Sequence, residues 1–189
     1  MGWGKSPAPL LSLFNKTKKK PINMGHFDKL QAKNVVADKI KGAYQGAVVL
    51  NGGTAVTLTS SQSGAVCIFD TAGASSFVLP APEKGLHFKF ISAITATADH
   101  FIKTATNDAG FLGGGLIMNT TADQCNGVGA ATDGNNDHIT LNGSTTGGIV
   151  GSVVNVWGIS DTDAAKCWVA EVLLVGSGDT VTPFGDAQL

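Results

Sequence analysis

At 189 residues the chain holds one β domain of about 150 residues plus a tail, and its length excludes a second full core. Its 25 glycines, single Tyr and short apolar runs favour strands joined by tight turns over long helices, which makes the class all-β. The formal net charge of −1 hides a division: residues 1–41 carry nine lysines against Asp28 and Asp38, whereas residues 42–189 carry four lysines against twelve acids.

The first segment, MGWGKSPAPLLSLFNKTKKKP, mixes Trp3, Leu10, Leu11, Leu13 and Phe14 with three prolines and the lysines Lys5, Lys16, Lys18, Lys19 and Lys20. Proline excludes a continuous helix, and the apolar surface is too small to offset the entropy of ordering, so the segment is expected to fold only against a partner. The apolar stretch Ala8 to Phe14 falls short of the about 18 residues of a membrane span, and its lysines follow it where a signal peptide places them before. Residues 26–45 fit neither the helical nor the strand period and read as a connector. The division is therefore 1–45, an extended basic arm and connector, and 46–189, a β-sandwich domain.

From Gln45 onward strand signals recur at short intervals between Gly, Asn, Asp and Pro. Strands are expected at 47–50, 55–59, 65–70, 76–79, 86–94, 100–104, 115–118, 138–142, 152–159, 167–175 and 179–182. So many short strands make a β-sandwich or jelly roll the natural arrangement. In HFKFI, Phe88 and Phe90 face one way and His87 and Lys89 the other. Both faces of 153–158 carry apolar groups, which places that strand centrally or at an interface. In LPAPEKG, Pro80 and Pro82 end a strand and Gly85 permits the reversal. Residues 119–137 are polar, Gly-rich and aperiodic, and read as a long exposed loop.

Candidate chemistry is sparse. The three cysteines cannot all pair within one chain; Cys67 and Cys167 sit in apolar runs as small buried thiols. His26, His87, His100 and His138 show no metal-hydrolase spacing and read as surface or edge residues. FLGGGL at 111–116 lacks the Lys-Ser/Thr of a phosphate loop and reads as a turn. Asp133, Asn135 and Asp137 place oxygens at alternate positions, as a calcium loop begins, but no Gly or Glu completes that loop and an Asx-stabilised turn is the alternative. Trp157 and Trp168 read as core anchors. No catalytic constellation and no cofactor motif emerges, so the expectation is a protein without enzymatic activity. All thirteen basic residues are Lys, which weakens a nucleic-acid reading, since bidentate phosphate and guanine contacts favour Arg. MGWGKS matches the M-G-x-x-x-[ST] acylation pattern with a basic cluster behind it, leaving a myristoylated membrane-associated protein as an alternative.

Several phrases of the body resemble the glycine-rich β domains of phage and large-virus structural proteins, including head decoration proteins and fibre-like appendages. They are VTLTSSQSGAVCIFD (56–70), SSFVLPAPEKGLHFKFI (75–91), the run from Asp137 to Val172, and VTPF (181–184). AKNVVADKIKG (32–42) is similar to the linking segments of trimeric viral fibres. The resemblance implies a virion protein assembled in a host cytoplasm. Its function would be capsid decoration or cement: Trp3, Leu10, Leu11, Leu13 and Phe14 as apolar plugs, and Lys5, Lys16, Lys18, Lys19 and Lys20 against an acidic major capsid protein or other virion protein. It also implies a homotrimer. A head fibre or tail component whose loop 119–137 meets a receptor or glycan is the second structural reading.

Overall fold

The computed structural model describes residues 48–106, 109–132, 135–161 and 167–186; the arm and connector lie outside these. The body is all-β. Its strands are β1 (Val48–Leu50), β2 (Ala55–Thr57), β3 (Val66–Phe69), β4 (Ser75–Val78), β5 (His87–Ser92), β6 (His100–Lys103), β7 (Phe111–Asn119), β8 (Gln124–Gly129), β9 (His138–Leu141), β10 (Val153–Gly158), β11 (Trp168–Gly176) and β12 (Phe184–Gly185). A seven-stranded sheet runs β1-β3-β5-β10-β11-β7-β8, and a five-stranded sheet runs β12-β9-β6-β4-β2.

Strict alternation explains why the two sheets face each other. On β5 the sequence HFKFIS buries Phe88, Phe90 and Ser92 and leaves His87 and Lys89 exposed. On β4 it is Ser75 and Phe77 that turn inward. Phe77 of the smaller sheet meets Phe69 of the larger one edge-on, at 5.0 Å between ring centroids, and Phe90 at 5.5 Å. Phe88 lies against Trp168 at 6.4 Å. Around these rings Ile102, Ile117, Ile139, Leu141, Val154, Val156 and Leu174 are excluded from solvent. Each such side chain contributes about 1.5–3 kcal/mol when fully removed from water, so this inter-sheet layer holds the sandwich together.

The first six strands visit the two sheets alternately, and each of the first four pairs in parallel with the strand two places on. Val48, Val66 and Lys89 are successive partners across β1, β3 and β5. Ser76 partners Ala55 on one side and Phe101 on the other across β2, β4 and β6. The chain thus winds as a flattened coil of three turns. The ladder continues through the corners: Leu58 N–H donates to Val78 O at 2.8 Å, Leu79 N–H to Lys103 O at 2.8 Å, and Thr97 N–H to Ala72 O at 2.8 Å. Buried Asn51 stitches one corner, its Nδ2 donating to Ser76 O at 2.9 Å and its Oδ1 accepting from Gly53 N–H at 3.2 Å. Period-two alternation specifies which face is buried but not which strand lies alongside, so the coil is not visible in the strand signals themselves.

Antiparallel pairs join the coil to the remaining strands: β10 lies between β5 and β11, as its two apolar faces predict, and β9 lies between β6 and β12. The proline corner behaves as expected, with β4 ending before Pro80 and Gly85 at φ 87. Lys84 forms an ion pair with Asp161 at 3.1 Å, tying that corner to the end of β10. Two expectations are corrected. FLGGGL is no turn but the first part of β7, a nine-residue strand parallel to β11. Part of the supposed loop 119–137 is strand β8, which returns along β7 from Gln124 to Gly129.

Candidate functional site

The β7–β8 hairpin shapes one side of a surface groove. At its tip Asn119 is buried, and its Oδ1 accepts from Thr121 N–H at 2.9 Å, Thr121 Oγ1 at 2.7 Å and Ala122 N–H at 3.2 Å. Its Nδ2 donates to Gly178 O, and Gly178 N–H donates to Thr121 Oγ1 at 3.0 Å. Asn126 on β8 reaches Thr180 Oγ1, and Thr182 Oγ1 donates to Gly129 O at 3.1 Å. Residues 179–182, expected as a strand, are instead suspended beside β8 largely by side-chain hydrogen bonds. The hydroxyls of Thr180 and Thr182 make that possible without a ladder.

Between this strap and the hairpin lies a groove of about 380 Å³, lined by Asn119, Thr121, Gln124, Asn126, Asp179 and Thr180 among others. Its walls are amides, hydroxyls and one carboxylate, and Gln124 and Asp179 are exposed at its rim. Such a lining suits a hydroxyl-rich ligand better than an apolar one.

Two histidines expected at the surface are buried, which corrects that expectation. His100 is fully excluded from solvent; its Nε2 lies 2.9 Å from Gly73 O and its ring stacks on Phe69 at 4.6 Å. Burial pushes its pKa below the ordinary imidazole value. Thr71 Oγ1 and Ser75 Oγ, on the same coil turn, are likewise buried. His138 Nδ1 lies 2.7 Å from Asp137 Oδ1, and this pair sits where β6, β9 and β12 meet: Thr104 N–H donates to Asp137 O at 2.9 Å and Asp137 N–H to Gly185 O at 3.0 Å. Asp137, the third oxygen of the calcium pattern, is therefore buried and engaged, whereas Asn135 is exposed and Asp133 lies outside the described residues. Among the described residues no group of three His, Cys, Asp or Glu side chains is placed to hold a metal ion.

Cys67 and Cys167 are buried, as their apolar runs predict, and Cys125 is exposed. Trp168 is a fully buried anchor, but Trp157 is 39% exposed, because it alternates with buried Val156 and so faces outward. Trp3, Lys5, Leu10, Leu11, Leu13, Phe14, Lys16, Lys18, Lys19 and Lys20 all lie outside the described residues. Among the described residues no helix is long and apolar enough to cross a membrane. The sequence matches no protein-family model and no curated protein.

Proposed function

We propose that this chain is a non-enzymatic virion structural protein, a capsid decoration or cement protein whose N-terminal segment attaches a β-sandwich body to the viral head. The observation that carries the reading is the division of charge: nine lysines against two acids in residues 1–41, beside four lysines against twelve acids in the remainder. A lysine-rich leader with scattered large apolar residues suits an acidic protein surface bearing shallow apolar pockets, and ordering it on that surface is offset only by the contacts made there. The resemblance of the body to viral β domains supports the same assignment.

The test is deletion of residues 1–24, followed by binding to emptied heads of the virus that carries this gene. Loss of binding with an intact body is the expected result; undiminished binding overturns the proposal. A second reading, a head fibre or tail component that binds a receptor glycan, is favoured by one observation, the polar groove at the β7–β8 hairpin. Glycan-array binding that is lost in Gln124→Ala and Asp179→Ala would establish it.

A further inference from the structure

The outer face of the seven-stranded sheet carries an unbroken apolar row. Directly paired residues point to the same side of a sheet, so the register defines it: Leu50, Ile68, Ile91, Val153, Leu173 and Leu116 are successive neighbours across six strands, and Gly127 ends the row on the seventh. Leu50 is 57% exposed, Leu173 48% and Leu116 44%. Flanking this row on one side are Val175 and Met118. On the other lies a second row, Val48, Val66, Lys89, Asn155, Glu171, Gly114 and Gly129. A solvated sheet face is ordinarily polar, and an apolar row of this length marks a face that another surface covers.

We infer that this face pairs with the same face of a second copy about a two-fold axis running along β10. Three features of the register point to a copy of the same chain. First, β10 is the fourth of seven strands, so a two-fold on it lays β5 over β11, β3 over β7 and β1 over β8 while keeping each row on itself. Second, the charges are self-complementary: Lys89 on β5 comes over Glu171 of the partner subunit, and Glu171 over Lys89 of the partner subunit, with Asn155 on the axis. Asn155 Nδ2 already donates to Glu171 Oε2 at 3.2 Å, holding that carboxylate in the row. Third, size is self-complementary. The β1–β3 side presents Val48, Leu50 and Val66, and the β7–β8 side presents Gly129, Gly127 and Gly114, so bulk on one copy meets the absence of side chains on the other. In the middle, Ile91 packs on Leu173 and Val153 on itself.

Seven strands at about 4.8 Å and six residues at about 3.3 Å make a face of roughly 600–700 Å², close to the about 800 Å² per partner of a standard interface. Aligned sheets cross at about 30°, which loosens the match at the edges and preserves it at the centre. The inference does not rest on the proposed attachment to a viral head, and it favours a two-fold pair over the three-fold ring that the resemblance implies.

Light scattering on the full chain over roughly 2–100 µM tests this. The expected mass is twice that of the 19.3 kDa chain. Leu173→Asp and Leu116→Asp yield monomers with unchanged circular dichroism, and Val181→Asp, at an exposed site off this face, leaves the dimer intact. Lys89→Glu and Glu171→Lys each weaken the dimer about tenfold, and the double exchange restores it, because the charges meet across the axis. A monomer at every concentration, a trimeric mass, or a dimer indifferent to Leu173→Asp overturns the inference.

Discussion

Burial silences Cys67: its thiol is fully excluded from solvent and pushed up to about 12 by the loss of hydration around a charged sulfur. Cys167 is equally buried, its Sγ 3.7 Å from Gly110 O, while Cys125 on β8 is exposed. Thiolate is the reacting form, so a disulfide reagent at about pH 8 is expected to titrate one thiol in the native chain and all three after unfolding; a second fast thiol in the native state contradicts the buried placement. His100 gives the body a pH dependence of definite sign. The folded state holds this imidazole neutral, with its pKa below the ordinary 6.5, whereas the unfolded chain protonates at the ordinary value. Its contribution is therefore complete above that value and is lost as pH falls below it, at a slope of at most about 1.4 kcal/mol per pH unit. Urea midpoints between about pH 7 and about pH 5 are expected to fall more steeply for the wild type than for His100→Gln; parallel slopes show that His100 is not the group responsible. The buried cysteines were legible from the runs AVCIF and KCWVA. His100 was not, although it alternates with buried Ile102, because nothing local says which side of HFIK faces the second sheet.

Three consecutive glycines set the fit of β7 between its neighbours. A Cβ at Gly113 would run into Ala170 O, one at Gly115 into Val172 O, and one at Gly114 into Val128 O. The backbone of β7 there approaches β11 on one side and β8 on the other more closely than any side chain permits. Gly115→Ala is expected to destabilise the body by about 1–3 kcal/mol, as overpacking does, with the loss read from chemical denaturation. An unchanged midpoint would show that the three strands separate at little cost. This constraint also explains what sequence could and could not reveal about the elements. Ten of the expected strands fall on observed ones, because short apolar stretches set between Gly, Asn, Asp and Pro mark them. FLGGGL looked like a turn since glycine signals turns and close approach alike. QCNGVG looked like loop because an edge strand has one neighbour and little need of apolar residues. Residues 179–182 have a strand's composition yet hang from Asn126 and Gly129 by hydroxyls, a contact made at long sequence separation that no local pattern announces.

For the molecule as a whole, charge sorted along the chain sets how attachment responds to salt. If the lysines between Lys5 and Lys20 hold the chain to an acidic shell, affinity is expected to fall steadily as salt rises from roughly 0.05 to 0.5 M, because exposed charges are screened over about 10 Å at 0.1 M. The truncated chain should lack that dependence. Salt-independent binding by the full chain would assign attachment to apolar contacts such as Trp3 and Phe14. The charge division and the sandwich class were both readable from sequence. The order of strands was not, since it depends on which rows of side chains fit each other.

The three-turn winding of β1 to β6 leaves β1 and β2 as the outermost strands of their respective sheets at the same end of the body. A helical stack of this kind is modular: one further circuit of chain, laid in parallel on those two strands, would pair along edges that no other described strand occupies and would inherit the cross-section already present. Lengthening by duplication of a circuit therefore needs no redesign of the layers beneath it. Past the third circuit the winding gives way to antiparallel pairs, β5 with β10 and β6 with β9.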